Sequence, residues 1–160
     1  MTNGAFTEIL LGVLAILLVV AAVIDVRTFT ISNRLNLTVA AIAPLYWWSV
    51  GLPLWPGVAI QIGLAVAVFA LFSVAFFLGM MGGGDVKLAA ALALWFSPLA
   101  TARFLIFMSV AGGVLTVLVL VHHRWLKKPG KPEVPYGVAI AIGALAILTQ
   151  RFLNQFACCL

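Results

Sequence analysis

The sequence predicts an all-α polytopic membrane protein, with six transmembrane helices in one bundle. Of the 160 residues, 65% are hydrophobic and only 8% are charged, and the mean hydropathy is +1.24. A water-soluble domain carries roughly 25% charged residues, so this chain cannot coat a soluble surface of its size. Its main solvent is lipid. The apolar residues fall in long continuous runs that do not alternate, which favours helices over strands, because backbone in lipid must bond to itself. The length suits one compact unit over residues 1–160, with no room for a second domain beside the bundle.

The first run, residues 7–26, is about as long as the hydrocarbon core requires. No Lys or Arg precedes Arg27, so the basic region of a cleaved signal peptide is missing and a retained helix is expected. The second run, residues 35–50, is short and ends in Tyr46, Trp47 and Trp48. Pro53 and Pro56 mark the following turn, and Trp47, Trp48 and Trp55 are expected as an interfacial belt. The third run covers residues 57–78, and the fourth, again short, residues 86–99. The short runs need flanking residues to complete a crossing, or else leave one end in the headgroup layer. The fifth run covers 102–121 and the sixth 136–153. Between them the longest connection, residues 122–135, is basic and Pro-containing, and is expected to be mobile beside the headgroups.

Nine Lys or Arg face four Asp or Glu, a net charge of +5. Seven of the cations follow the first, third and fifth helices: Arg27, Arg34, Lys87, Arg124, Lys127, Lys128 and Lys131. The other side holds only Arg103 and Arg151. This bias places the basic loops in the cytoplasm and both termini outside. The positive balance thus reflects topology. No basic patch is interleaved with aromatics, so no nucleic-acid partner is expected. Cys158 and Cys159 fit neither a zinc spacing nor a prenylation signal, which needs Cys where Ala157 stands.

The acids are more informative. Glu8 lies near the outer end of the first helix and Glu133 in the basic loop. Asp25 is the next-to-last residue of an apolar run, and Asp85 follows Gly82, Gly83 and Gly84 directly before the fourth run. Ionisable groups at membrane depth are costly and usually have a task, and the topology puts both on one face. Two carboxylates held close share a proton near neutral pH. One can then deprotonate water while the other protonates a carbonyl, which hydrolyses a peptide bond without a metal. The Gly triplet lets another backbone approach beside Asp85.

Simpler readings stand beside these. Asp25 can pair with Arg27, and Asp85 can be an N-cap. Gly79 and Gly83 have the GxxxG spacing of tight helix packing. Lys87 can screen Asp85, bind headgroups, or only set topology. His122 and His123 are adjacent and do not converge on a metal as neighbours on a helix or strand.

Gly82-Gly83-Gly84-Asp85-Val86-Lys87-Leu88 resembles the GxGDxKL signature of the type IV prepilin peptidases, the GxGD membrane aspartyl proteases. Asp25-Val26-Arg27 with Ile31-Ser32-Asn33-Arg34-Leu35 resembles that family's first-aspartate segment, and residues 135–141 resemble the opening of its last helix. The likeness covers nearly the whole chain and is nearest to the short CpaA/TadV type of Tad/Flp pilus systems. It implies Asp25 and Asp85 as the catalytic dyad, with Gly82, Gly83, Gly84, Lys87, Arg27 and Asn33 binding substrate or shaping the site. It implies a plasma-membrane endopeptidase, without cofactor or metal, that removes the positively charged leader of Flp-type prepilins at the cytoplasmic face, typically after Gly. Pilus assembly machinery is an implied neighbour. Ser32 stands where the family often has Pro, which leaves the start of helix two less rigid. The cysteine-bearing cytoplasmic domain of longer, methylating members has no counterpart in this sequence, so N-methylation is not implied.

Two rivals remain at this stage. A small proton-coupled carrier also uses intramembrane acids, though near the bilayer midplane. A non-catalytic assembly protein of a pilus or secretion complex needs no paired acids at all.

Overall fold

The computed structural model describes residues 4–125 and 134–158, with side chains described as far as residue 153. Among these, six helices follow one another: α1 Gly4–Thr28, α2 Asn33–Ser49, α3 Ala59–Phe77, α4 Gly83–Ala93, α5 Pro98–Trp125 and α6 Tyr136–Cys158. No strand occurs among the described residues, so the all-α expectation holds. Four segments are long and apolar enough to cross a membrane: Gly4–Thr28, Leu54–Phe77, Pro98–Trp125 and Tyr136–Leu153. The two short runs remain short as helices, 17 residues in α2 and 11 in α4. At about 1.5 Å per residue, α4 rises roughly half the thickness of the hydrocarbon core.

The ends of the helices have local causes. Thr28 Oγ1 donates to the Ile24 carbonyl at 2.9 Å and Phe29 takes a positive φ of 51°, which stops α1. A non-glycine residue pays about 1–2 kcal/mol for that conformation. The Ser32 hydroxyl accepts the Leu35 N–H at 3.3 Å and caps α2. The start of helix two is therefore defined by a hydrogen bond where a Pro ring would otherwise define it. A π turn, Leu54–Val58, precedes α3 and is broken at Trp55. After α3 the chain turns at Gly79, whose φ is 70°. Gly79 thus lies in a turn while Gly83 opens α4, so the two never form the GxxxG face that their spacing suggested. The fourth helix starts earlier than expected and ends earlier, where the Leu94 and Trp95 N–H groups turn back to the Ala91 and Leu92 carbonyls, and Pro98, which lacks an N–H, opens α5.

The bundle has two distinct ends. At one, Thr7 Oγ1 donates to Ser49 Oγ at 3.0 Å, joining the start of α1 to the end of α2. Tyr46 stacks on Trp95 with ring centroids 5.2 Å apart. Two indoles brace the same region, Trp47 Nε1 to the Leu94 carbonyl at 2.7 Å and Trp95 Nε1 to the Val39 carbonyl at 3.0 Å. Trp47 is half-buried and braces α2 against the end of α4, whereas Trp48 and Trp55 are exposed at 69% and 81%. Between the ends lies a core that includes Leu14, Leu18, Val39, Leu88, Leu92, Phe104 and Ile140. Helix α6 packs on α1 and α5, and α4 sits among α2, α3 and α6. Lys127, Lys128, Lys131 and Glu133, and with them the expected mobility of their loop, lie outside the described residues, as do the side chains of Cys158 and Cys159. His122 and His123 belong to the last turn of α5.

Candidate active site

The other end collects the three chain segments singled out by the sequence. Asp25 lies one turn before the end of α1 and is 2% exposed. Asp85 lies in the first turn of α4 and is 8% exposed. The cap of α4 is Gly82, so Asp85 is inside the helix and is not its N-cap. The start of α6 closes the site. Val138 donates its N–H to Asp25 Oδ2 at 3.3 Å, and the Gly137 N–H is a second donor to the same carboxyl. The first N–H groups of a helix have no partner within it and suit an anionic oxygen. Asp25 and Asp85 lie near enough for the Asp25 charge to act on Asp85. Neither forms an ion pair among the described residues, so the pairing of Asp25 with Arg27 is not found.

Three glycines permit this convergence. A Cβ on Gly84 would meet the Ile31 carbonyl oxygen at 2.7 Å and the Ile31 nitrogen at 3.2 Å. A Cβ on Gly137 would meet Ile31 Cδ1 at 2.7 Å and the Asp25 carboxyl at 2.8 Å. Ile31, buried in the short link between α1 and α2, is thus the wedge against which α4 and α6 both pack. A Cβ on Gly82 would meet Asp85 Oδ2 at 2.9 Å. Gly83 is less confined, facing the ring edge of Phe76 at 3.3 Å.

Asp85 opens onto a cleft of about 610 Å³. Thr28, Phe29 and Thr30 form one wall, Gly79 to Gly82 another, and Val134 with Tyr136 a third. Asp25 is not itself among the residues that line the cleft. Gly82 lines the cleft beside Asp85, Gly83 and Gly84 do not, and the volume has room for an extended backbone.

Other expected site residues fall elsewhere. Arg27 is exposed and does not line the cleft. Lys87 Nζ donates to Asn33 Oδ1 at 2.8 Å, so these two pair with each other on the flank of α4 and do not line the cleft. The residue that sequence reasoning missed is Asn36. It is 5% exposed, and its Nδ2 donates to the Gly84 carbonyl at 2.8 Å, tying α2 to the residue before Asp85. Its Oδ1 is buried without a partner. Asn36 also lines, with Asn33 and Lys87, an open groove of about 550 Å³ between α2, α3 and α4. Among the described residues no three His, Cys, Asp or Glu side chains gather in one place.

A family model described as the type IV leader peptidase family matches residues 12–117, a span that contains both aspartates. No curated protein matches the chain, and no solved structure does.

Proposed function

Because the chain belongs to the type IV leader peptidase family, we propose that it is an aspartic endopeptidase of the plasma membrane that removes the leader of Flp-type prepilins, with Asp25 and Asp85 as its catalytic pair. The observation that carries this reading is the burial of two carboxyls, from helices far apart in sequence, at one end of an apolar bundle. Two such groups hold one proton between them.

The roles follow from the surroundings. Asp25 receives two backbone N–H groups from α6, which suits the ionised member and general base. Asp85 faces the cleft, which suits the protonated member and general acid. Asp25 takes a proton from a water as its oxygen bonds to the scissile carbonyl carbon. Asp85 gives its proton to the carbonyl oxygen. When the tetrahedral diol collapses, Asp25 passes the proton it took to the departing amide nitrogen, a hydroxyl proton returns to Asp85, and the C–N bond breaks.

The groove between α2, α3 and α4 gives the substrate a place to lie. Ala40, Ala65 and Ala90 keep it shallow-walled, and it is open to the side. The apolar helix of a pilin precursor fits there, with its leader extending past Asn33 and Asn36 to the cleft. The cation-rich end of the bundle is then the cytoplasmic one, where Arg27, Arg34 and Lys87 stand near the aspartates.

The test is replacement of Asp25 or Asp85 by Asn, with the chain in its native membrane and a tagged prepilin beside it. Each variant inserts normally and loses leader removal by at least about 10²-fold, the low end for acid–base groups. Normal processing by either variant overturns the assignment. A carrier would instead lose a proton-coupled flux, and its acids would lie deeper than a helix end.

A further inference from the structure

The end of the bundle opposite the aspartates carries a second built feature. Arg103, in the second turn of α5, and Arg151, in α6, line a single cavity of about 480 Å³. They are the only two cations that the charge bias leaves on this end. Two guanidinium groups around one cavity repel each other, and no carboxylate lines it among the described residues.

Arg151 is held in place. One guanidinium nitrogen donates to the Tyr46 hydroxyl, and the group lies over the Tyr46 ring, 5.5 Å from its centroid. Tyr46 is itself buried and stacked on Trp95, whose indole is anchored to α2. Arg103 is exposed and carries no such restraint. Ser97 and Gln150 add hydrogen-bonding groups at the rim, while Leu11 and Ile147 supply an apolar floor.

A cavity with two forked cations at its mouth and hydrocarbon beneath suits an amphipathic anion. Guanidinium groups bind phosphate oxygens in pairs. The exposed Trp48 and Trp55 mark this end as a headgroup level, where the abundant amphipathic anion is a phospholipid. We propose that Arg103 and Arg151 bind the phosphate of an anionic phospholipid headgroup, with the start of an acyl chain on the Leu11–Ile147 floor. The site is separate from the aspartate pair and stands whether or not that pair cleaves prepilins.

The full chain, purified and stripped of lipid in a neutral detergent, tests this through its thermal unfolding midpoint. Phosphatidylglycerol added to the micelles raises the midpoint by several degrees, because a ligand that binds the folded state stabilises it. Phosphatidylcholine and inorganic phosphate do not. Arg103→Gln, which breaks no internal contact, removes at least half of that rise. Arg124→Gln, which removes a cation at the far end of α5, keeps it. Equal responses to the two lipids overturn the proposal, as does an undiminished rise in Arg103→Gln. An equal rise with inorganic phosphate overturns the lipid as the ligand and shows a site for free anions.

Discussion

Replacing Gly84 with Ala adds one methyl group next to Asp85 and leaves every polar group of the site in place. The new Cβ would lie 2.7 Å from the Ile31 carbonyl oxygen and 3.1 Å from Ile31 Cβ. Two of its three nearest neighbours are backbone atoms, so no rotamer change relieves the contact. Restoring van der Waals separation requires α4 and the Ile31 segment to part by roughly half an ångström. Overpacking of this kind costs about 1–3 kcal/mol of stability, and a displacement of about 1 Å at a catalytic group costs roughly 10²-fold in rate. Gly84→Ala is therefore expected to lower leader removal about tenfold or more while still inserting. The assay is the ratio of mature to precursor pilin over time, normalised to the amount of enzyme in the membrane. Two neighbours calibrate it. Gly63→Ala has nothing within 4 Å and leaves the rate unchanged, whereas Gly83→Ala meets only the Phe76 ring edge, which can shift, and loses a few-fold at most. Wild-type turnover in Gly84→Ala, or equal losses in Gly63→Ala and Gly84→Ala, would refute the close approach of Ile31 as the reason for this glycine.

Gly137→Ala drives a Cβ to 2.8 Å from the Asp25 carboxyl, so leader removal falls at least about tenfold, and an unimpaired variant would show that α6 does not position Asp25. The proposed sharing of one proton between Asp25 and Asp85 requires a bell in the rate against pH. The rate declines as pH falls and both carboxyls protonate, and declines again as pH rises and both ionise; a rate flat across both limbs excludes proton sharing. Ala40→Phe fills the groove between α2, α3 and α4 without touching the aspartates. It should slow processing of full-length prepilin several-fold, and a short soluble leader peptide should be cut at the normal rate; equal slowing of both points to a misfolded bundle.

What the sequence made legible was the inventory and the order of the parts. Continuous apolar runs announced each helix, because lipid leaves the backbone no alternative. Asp25 and Asp85 stood out because so few acids occur beside them. The parts that stayed hidden depend on contacts across the chain. Asn36 sits in an ordinary helical stretch and matters only because α2 lies against Gly84. Gly137 and Gly84 share a neighbour, Ile31, from which local patterning keeps no trace. Asn33 and Lys87 flank the motifs in the sequence, but that they bond each other and line the groove beside α4 appears only in the fold. Nor did the sequence show that the Trp47 indole N–H bonds the Leu94 carbonyl across the bundle. The Gly79–Gly83 spacing presumed a helix where a turn stands, and Asp85 was displaced from the cap by the earlier start of α4.

The closure of the site by α6 also bears on how the protein is made. Both aspartates are translated before α5 and α6, and residues 12–117 already hold the pair. The N–H groups that receive the Asp25 carboxyl come from Gly137 and Val138, the opening of the last helix. During synthesis the two acids thus reach the membrane well before their third wall does. Until that helix docks against α1, the nascent chain lacks the donors that hold Asp25. The order of translation itself delays assembly of the site until the start of α6 has been made.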